Sequence, residues 1–257
     1  MYLRAVHAEQ SIPALRQLIR DFPLGILTTA IASAAHPFIQ SSHIPWVLDV
    51  QDDASETELG VLRGHLARAN PQSKAMIESL AAEGRTGTGN VLDHEVMVLF
   101  TAPTHHYVTP KFYTETKPAT AKVVPTWNYA AVQAYGRARI FYDAKSPETQ
   151  GFLGRQIDDL SRHGETSIMG YTGEGGRPGP WKVSDAPERY IELSKMAIVG
   201  IEIAIDRLGG KFKMSQELGE GDREGVVKGF DALDSEVGRN MADLVKERGE
   251  LKQKSKQ

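Results

Sequence analysis

The sequence contains no cysteine, and that one absence removes disulfide frameworks, thiolate zinc sites, cysteine nucleophiles and iron–sulfur clusters. It also lacks an apolar run near the ~20 residues a membrane span requires. The opening MYLRAVHAEQ has no hydrophobic segment of the secretory kind. The expectation is a cytoplasmic chain without a membrane partner. A surplus of positive charge is missing too: 30 Lys and Arg stand against 33 Asp and Glu, a net charge of −3. A broad surface for phosphate backbones is therefore not indicated, and nucleic acid stays open as a partner only through a local patch such as the basic C-terminal end. No G-x-G-x-x-G, P-loop or G-x-S-x-G motif follows a strand-like segment, which sets aside Rossmann, kinase and α/β-hydrolase readings. No two histidines stand four apart. Adjacent His105 and His106 on a strand would point to opposite faces, so no metal site is expected.

What is present is ordinary globular material, 257 residues with 40% hydrophobic and 25% charged. Ser11 can cap a helix with Ile12, Leu15, Leu18, Ile19 and Phe22 at helical spacing, stopped by Pro23. LGILTTAI (24–31) reads as a buried strand. QSSHIPWVLD follows a turn at 36–38 and alternates Ser41, His43 and Pro45 against Ser42, Ile44 and Trp46. Residues 52–60 read as an exposed hairpin loop, 62–66 as a strand and EVMVLFTAP as another, after a Gly/Thr-rich loop at 84–90. The segment 104–122 is too polar and proline-broken for a core element. Helices are expected from Ser146-Pro147 to about His163 and from Ser184 or Asp185. A strand then carries Ile201, Ile203 and Ile205 on one face. Asp222 is expected to cap one long amphipathic helix (Val226, Val227, Phe230, Leu233, Val237, Met241, Leu244), with KERGELKQKSKQ as a solvated tail. Short strands with local turns come first and helices later, which predicts an α+β fold with a mainly antiparallel sheet or barrel.

Two stretches concentrate polar chemistry. In VVPTWNYAAVQAYGRARIFYD (123–143), Thr126, Trp127, Asn128 and Tyr129 crowd together before an alternating strand begins. This is either a Trp-centred corner of the core or a surface for a ligand. In LRGHLARANPQSK, Asn70 is placed as an N-cap and Pro71 as the first helical residue, with Met76, Ile77 and Leu80 turned inward. Free backbone N–H groups at such a start, with Arg68, Ser73 and Lys74 around them, suit an anion or phosphate. A solvated first turn is the alternative.

With these segments assembled, the chain resembles the PaiB-type family of FMN-binding split-barrel proteins, often labelled negative transcriptional regulators. The resemblance runs through MYLRAVHA, FPLGILTT, SSHIPWVLD, LRGHLARANP, YVTPKFY, KVVPTWNYAAVQAYGRAR, PWKVSDAPERYI, AIVGIEI, GKFKMSQ and GDREGVV, in the family's order. It implies a six-stranded antiparallel split β-barrel with flanking helices over residues 1–215, and a helical extension with a basic tail over 216–257. It further implies a homodimer with FMN as cofactor, acting as a flavin-dependent oxidoreductase or a flavin-responsive regulator. Carried onto this sequence, the phosphate would lie near Arg63, His65, Arg68, Asn70, Ser73 and Lys74. The ring would lie toward Ser42, His43, Thr126, Trp127 and Asn128, with Lys122 as a donor. The family pattern has an amide where this chain has Glu217, which puts a negative charge in that loop. The loops 52–60 and 84–93 look longer than the family norm. Two alternatives stay open: a regulator without turnover, and haem binding, since eight histidines are present and an axial ligand needs only one in an apolar slot.

Overall fold

In the computed structural model, residues 1–82 and 90–254 are described. The loop expected at 84–90 falls outside them except for Asn90. In chain order the elements are Ala8–Glu9 (β1), Ile12–Asp21 (α1), Leu24–Ala30 (β2), Ile39–Pro45 (β3), Val47–Asp49 (β4), Val61–Ala67 (β5), Pro71–Ala82 (α2), Val96–Thr101 (β6) and His106–Val108 (β7). They continue with Thr116–Thr120 (α3), Thr126–Gly136 (β8), Ala138–Phe141 (β9), Pro147–His163 (α4), Glu188–Met196 (α5), Ile198–Ala204 (β10), Arg207–Lys213 (β11), Glu220–Asp231 (α6) and Glu236–Lys254 (α7). The α+β class is as expected. Eleven strands occur among the described residues, short segments such as β1, β4 and β7 pairing as well.

The chain divides into two units. A central unit comprises residues 16–100 and 133–208, and a terminal unit comprises 1–15, 101–132 and 209–257. In the central unit β2 pairs antiparallel with β3 and β6, and β5 and β10 pair antiparallel between β4 and β9. Period-two alternation sends Leu27, Ile44, Trp46, Leu62, Ile201 and Ile203 into the core. Gly64 has a packing reason: a Cβ there would come within 2.9 Å of the Trp46 ring. Helix α4 brings Phe152 onto Phe141, their rings stacked 4.0 Å apart. The polar loop between β4 and β5 is held by a cation. Arg16, fully buried, donates to the carbonyls of Glu58, Asp53 and Ser55 at 2.6–2.9 Å, so three otherwise unpaired acceptors are gathered on one guanidinium.

In the terminal unit β1 pairs with β11, and β7 with the start of β8. Val108, Val132, Val226, Phe230, Met241 and Val245 are buried there. Three expectations are corrected in the C-terminal part of the chain. The long helix is two, α6 and α7, with Asp234 at φ +46° in the break between them. Asp222 lies inside α6, and its carboxylate instead accepts the backbone N–H groups of Glu115 (2.8 Å) and Thr116 (3.2 Å), capping α3. The stretch expected as a solvated tail is helical to Lys254, because Val245 and Gly249 are buried and Arg248 pairs with Glu9. A smaller correction concerns α5, which starts at Glu188 after Pro187; Ser184 and Asp185 form a separate 3-10 turn. No helix among the described residues is long and apolar enough to cross a membrane.

Candidate functional site

The eight residues expected in the central unit split into those already committed to the protein and those with donors to spare. Arg63 is buried, and its guanidinium grips Asp49 (Nη2 to Oδ1, 2.7 Å) and Asp159 (2.7 Å). The hydrogen bond to Asp49 holds it firmly protonated against the opposing effect of burial. It lines a cleft of about 360 Å³ with Ile19, Trp46, Leu48 and Arg162, none of them an expected site residue. Arg68 is used on backbone: it donates to the carbonyls of Tyr142 (2.7 Å), Met196 (3.1 Å) and Ile198 (3.4 Å). Ser73 is fully buried and its hydroxyl donates to Ala67 O at 2.9 Å. His65 is half-buried on β5, its Nδ1 has no partner among the described residues, and burial lowers its pKa.

Asn70, Ser42, Lys74 and His43 differ. Asn70 caps α2 as expected, with its Oδ1 accepting the N–H of Gln72 at 2.8 Å. That bond fixes the amide, so Nδ2 faces Ser42 and donates to its Oγ at 3.2 Å. Gln72 holds the helix start to the sheet from within, its Nε2 donating to Leu27 O, Thr29 Oγ1 and Gln40 O at 3.0–3.2 Å. Because an amide N–H can only donate, Ser42 Oγ is the acceptor and its own proton turns elsewhere. It has no acceptor among the described residues. Lys74, exposed in the first turn of α2, and His43, exposed on β3, make no side-chain hydrogen bond or ion pair among them either. The free backbone N–H groups expected at this start are fewer than supposed, since position 71 is proline and Gln72 N–H is taken by the cap. For a phosphate group the corner offers the Ser42 hydroxyl and the Lys74 ammonium, a donor set of the right chemistry. Ser73 and Arg68 are spent on backbone carbonyls, and Arg63 keeps an unpartnered Nη1 among the described residues, but in the cleft with Trp46 and Leu48.

The remaining four lie in the terminal unit. Lys122 is exposed and its ammonium is unpaired among the described residues. Asn128 is fully buried and exchanges hydrogen bonds with Ser215 (2.9 and 3.2 Å), a tether between β8 and the chain after β11. Trp127 is half exposed at 50%. Its Nε1 donates to His105 Nδ1 at 3.3 Å, and Tyr107 meets its ring edge-on at 6.2 Å. Thr126 Oγ1 accepts from Lys213 Nζ, which also donates to Trp127 O at 3.2 Å. Lys213 lies 3.7 Å from Glu217 Oε1, and Glu217 Oε2 lies 3.1 Å from Nε2 of buried His7. Burial lowers the Lys213 pKa, with Glu217 opposing. For Glu217, burial would raise the pKa, but a backbone hydrogen bond, His7 and Lys213 outweigh it and the carboxyl ends below its ordinary value. Lys213, Glu217 and His7 were not among the expected site residues. The basic GKFKMSQ segment was visible, but its pairing with a threonine 87 positions earlier was not.

A family model described as "Putative FMN-binding domain" matches residues 1–207. An uncharacterised protein of Aspergillus fumigatus is 61% identical, the alignment covering 99% of this chain and 100% of that protein. Protease synthase and sporulation protein PAI 2 of Bacillus subtilis is 25% identical over 81% of this chain and 80% of its own. Among solved structures, the FAD and haem binding protein from Mycobacterium smegmatis aligns at a TM-score of 0.44 and 16% identity, over 80% of this chain and 73% of that one.

Proposed function

Because the chain belongs to the FMN-binding domain family, we propose that it is a flavoprotein that holds the FMN phosphate at the Ser42–Asn70–Lys74 corner and acts as a flavin-dependent oxidoreductase. Bound FMN would supply reversible hydride and electron transfer. The observation that carries the reading is the hydroxyl of Ser42. The Asn70 cap orients the amide, the amide makes Ser42 Oγ an acceptor, and a directed O–H is left over beside the start of α2, with the unpaired Lys74 ammonium one turn on. Each is a donor without a partner among the described residues, which is what an anionic ligand requires. Exposed Phe38 and Ile39 near β3 fit a homodimer, which belongs to the same proposal and is read by sedimentation.

The test is an absorption titration of the full chain with FMN and, in parallel, with riboflavin, which lacks the phosphate. Wild type should take up FMN. Ser42→Ala and Lys74→Ala should each weaken FMN by roughly tenfold or more, the worth of one hydrogen bond to a charged group, and leave riboflavin unchanged. Failure of wild type to take up FMN overturns the function. Equal loss for FMN and riboflavin moves the phosphate elsewhere. Haemin added separately tests the other cofactor through a Soret band, and NADH or NADPH oxidation by the loaded protein separates an oxidoreductase from a flavin-responsive regulator.

A further inference from the structure

The cleft of the central unit carries a donor that the protein leaves unused. Arg63, only 7% exposed, lines it together with Ile19 and Leu48. A guanidinium has five N–H groups in a planar fork and no acceptor. Nε and Nη2 spend theirs on the two oxygens of Asp49 and on Asp159 Oδ2. Nη1 is shielded from water and has no partner among the described residues. Buried donors are seldom left in that state, and an acceptor entering the cleft relieves it.

Two more guanidinia stand at the same cleft, and both are loosely held. The Arg162 side chain, 71% exposed, pairs with Asp159 Oδ1, and Arg20 pairs with Asp53, itself largely exposed. Pairs open to solvent contribute little to stability, so either guanidinium can change partners at small cost. Arg63 cannot, because two carboxylates fix it. His163 on the same wall spends Nε2 on Arg20 O at 3.1 Å. Around the cleft three arginines, at positions 20, 63 and 162, face two carboxylates, Asp49 and Asp159. One negative charge on a ligand balances that surplus. A dianionic phosphate would overshoot it beside two carboxylates. A planar carboxylate also matches the arginine fork in shape. About 360 Å³, with Ile19, Val47 and Leu48 along it, suits one small molecule with an apolar body.

We propose that this cleft binds a small monocarboxylate, its carboxylate bridging Arg63 Nη1 and Arg162 and its apolar body lying against Ile19 and Leu48. Arg162 exchanges Asp159 Oδ1 for the ligand, while Asp159 keeps its bond to Arg63 Nη2. Ser42, Asn70 and Lys74 do not line the cleft, so the proposal does not rest on the FMN reading.

The experiment titrates the full chain calorimetrically with benzoate, isovalerate, the neutral benzamide and inorganic phosphate, and separately with FMN. Wild type should bind one or both acids at a single site, about tenfold or more tighter than benzamide, the worth of a hydrogen bond to a charged group. Phosphate should bind more weakly than the acid. Arg162→Gln, at an exposed position, should weaken the acid by about tenfold or more. Arg63→Lys keeps a cation between Asp49 and Asp159 but removes Nη1, and should give a similar loss. FMN affinity should be unchanged in both variants. If wild type binds neither acid, or binds benzamide or phosphate as tightly, the proposal falls. It falls too if either folded variant binds the acid as wild type does; should Arg63→Lys fail to fold, Arg162→Gln decides alone. A loss of FMN in Arg162→Gln as large as the loss of acid would assign the cleft to the cofactor phosphate and overturn the proposal. If wild type takes the acid and refuses FMN, the FMN function fails and this site stands.

Discussion

Ser42 in the central unit and Thr126 in the terminal unit pose the same problem solved with different partners. Each hydroxyl is forced into the acceptor role by a group that can only donate, and each is left with a proton aimed outward. For Ser42 the forcing group is a neutral amide N–H whose orientation depends on a helix cap. For Thr126 it is an ammonium, itself braced by a carboxylate and a backbone carbonyl. Charge-assisted hydrogen bonds are roughly twice as strong as neutral ones, so the Thr126 donor is the more rigid of the two. The difference teaches that charge in a sequence does not mark the binding group. Arg68, the guanidinium beside the start of α2, is spent on backbone carbonyls, and the donors left at that corner are the Ser42 hydroxyl and the Lys74 ammonium.

The largest effect should come from testing that occupation directly. Arg68→Ala leaves the carbonyls of Tyr142, Met196 and Ile198 without their donor. It should cost about 2 kcal/mol of stability, a fall of roughly 4–8 °C in Tm for a chain of this size. FMN affinity measured well below that temperature should stay within about twofold of wild type. A stable variant that has lost FMN would show that the guanidinium serves the ligand, and would put Arg68 beside Ser42 in function.

A smaller and more selective effect is expected at Asn70. Asn70→Asp keeps the side-chain oxygen that caps α2, so thermal stability should hold. It replaces the N–H facing Ser42 with a carboxylate oxygen, so the Ser42 hydroxyl turns inward to donate and a negative charge faces the phosphate. FMN affinity should fall by about tenfold or more while riboflavin affinity is unchanged, both by titration. Undiminished FMN binding would mean that the direction of the Ser42 hydroxyl is irrelevant and would erase the likeness to Thr126.

Much of this was legible in the sequence because it is local. The α1 helix with Ser11 at its start, the Asn70-Pro71 entry into α2, the alternation through β3 and β8 and the isoleucine face of β10 all arise from spacings of two to four residues. The family was legible as well, from segments spread along most of the chain. What stayed hidden depends on distant partners. The charge of Arg63 and Arg68 is visible in the sequence, but whether a guanidinium is free is decided by acceptors at positions such as 142 and 159, far along the chain. Asp222 looked like a cap for its own helix because a carboxylate near a helix start usually is one, yet residues 115 and 116 supplied the N–H groups it holds. Lys213 lies in the GKFKMSQ segment, and only the fold brings it to Thr126.

The least effect, and the one that isolates what braces the Thr126 donor, is expected at Glu217. Its carboxyl titrates below its ordinary value in the folded chain, burial being outweighed by a backbone hydrogen bond, His7 and Lys213. A depressed folded pKa means that the unfolded chain binds the proton more readily. The charge therefore contributes stability above the ordinary carboxylate range, and that contribution is lost as pH falls through the folded value. Glu217→Gln removes it at every pH. The Tm difference between wild type and variant should be largest near neutrality, on the order of 2–4 °C for about 1 kcal/mol, and should close only as pH falls below the ordinary carboxylate range and through the depressed folded value. A Tm gap that stays constant from pH 7 down to the most acidic pH at which both proteins fold would show that the carboxylate acts through packing.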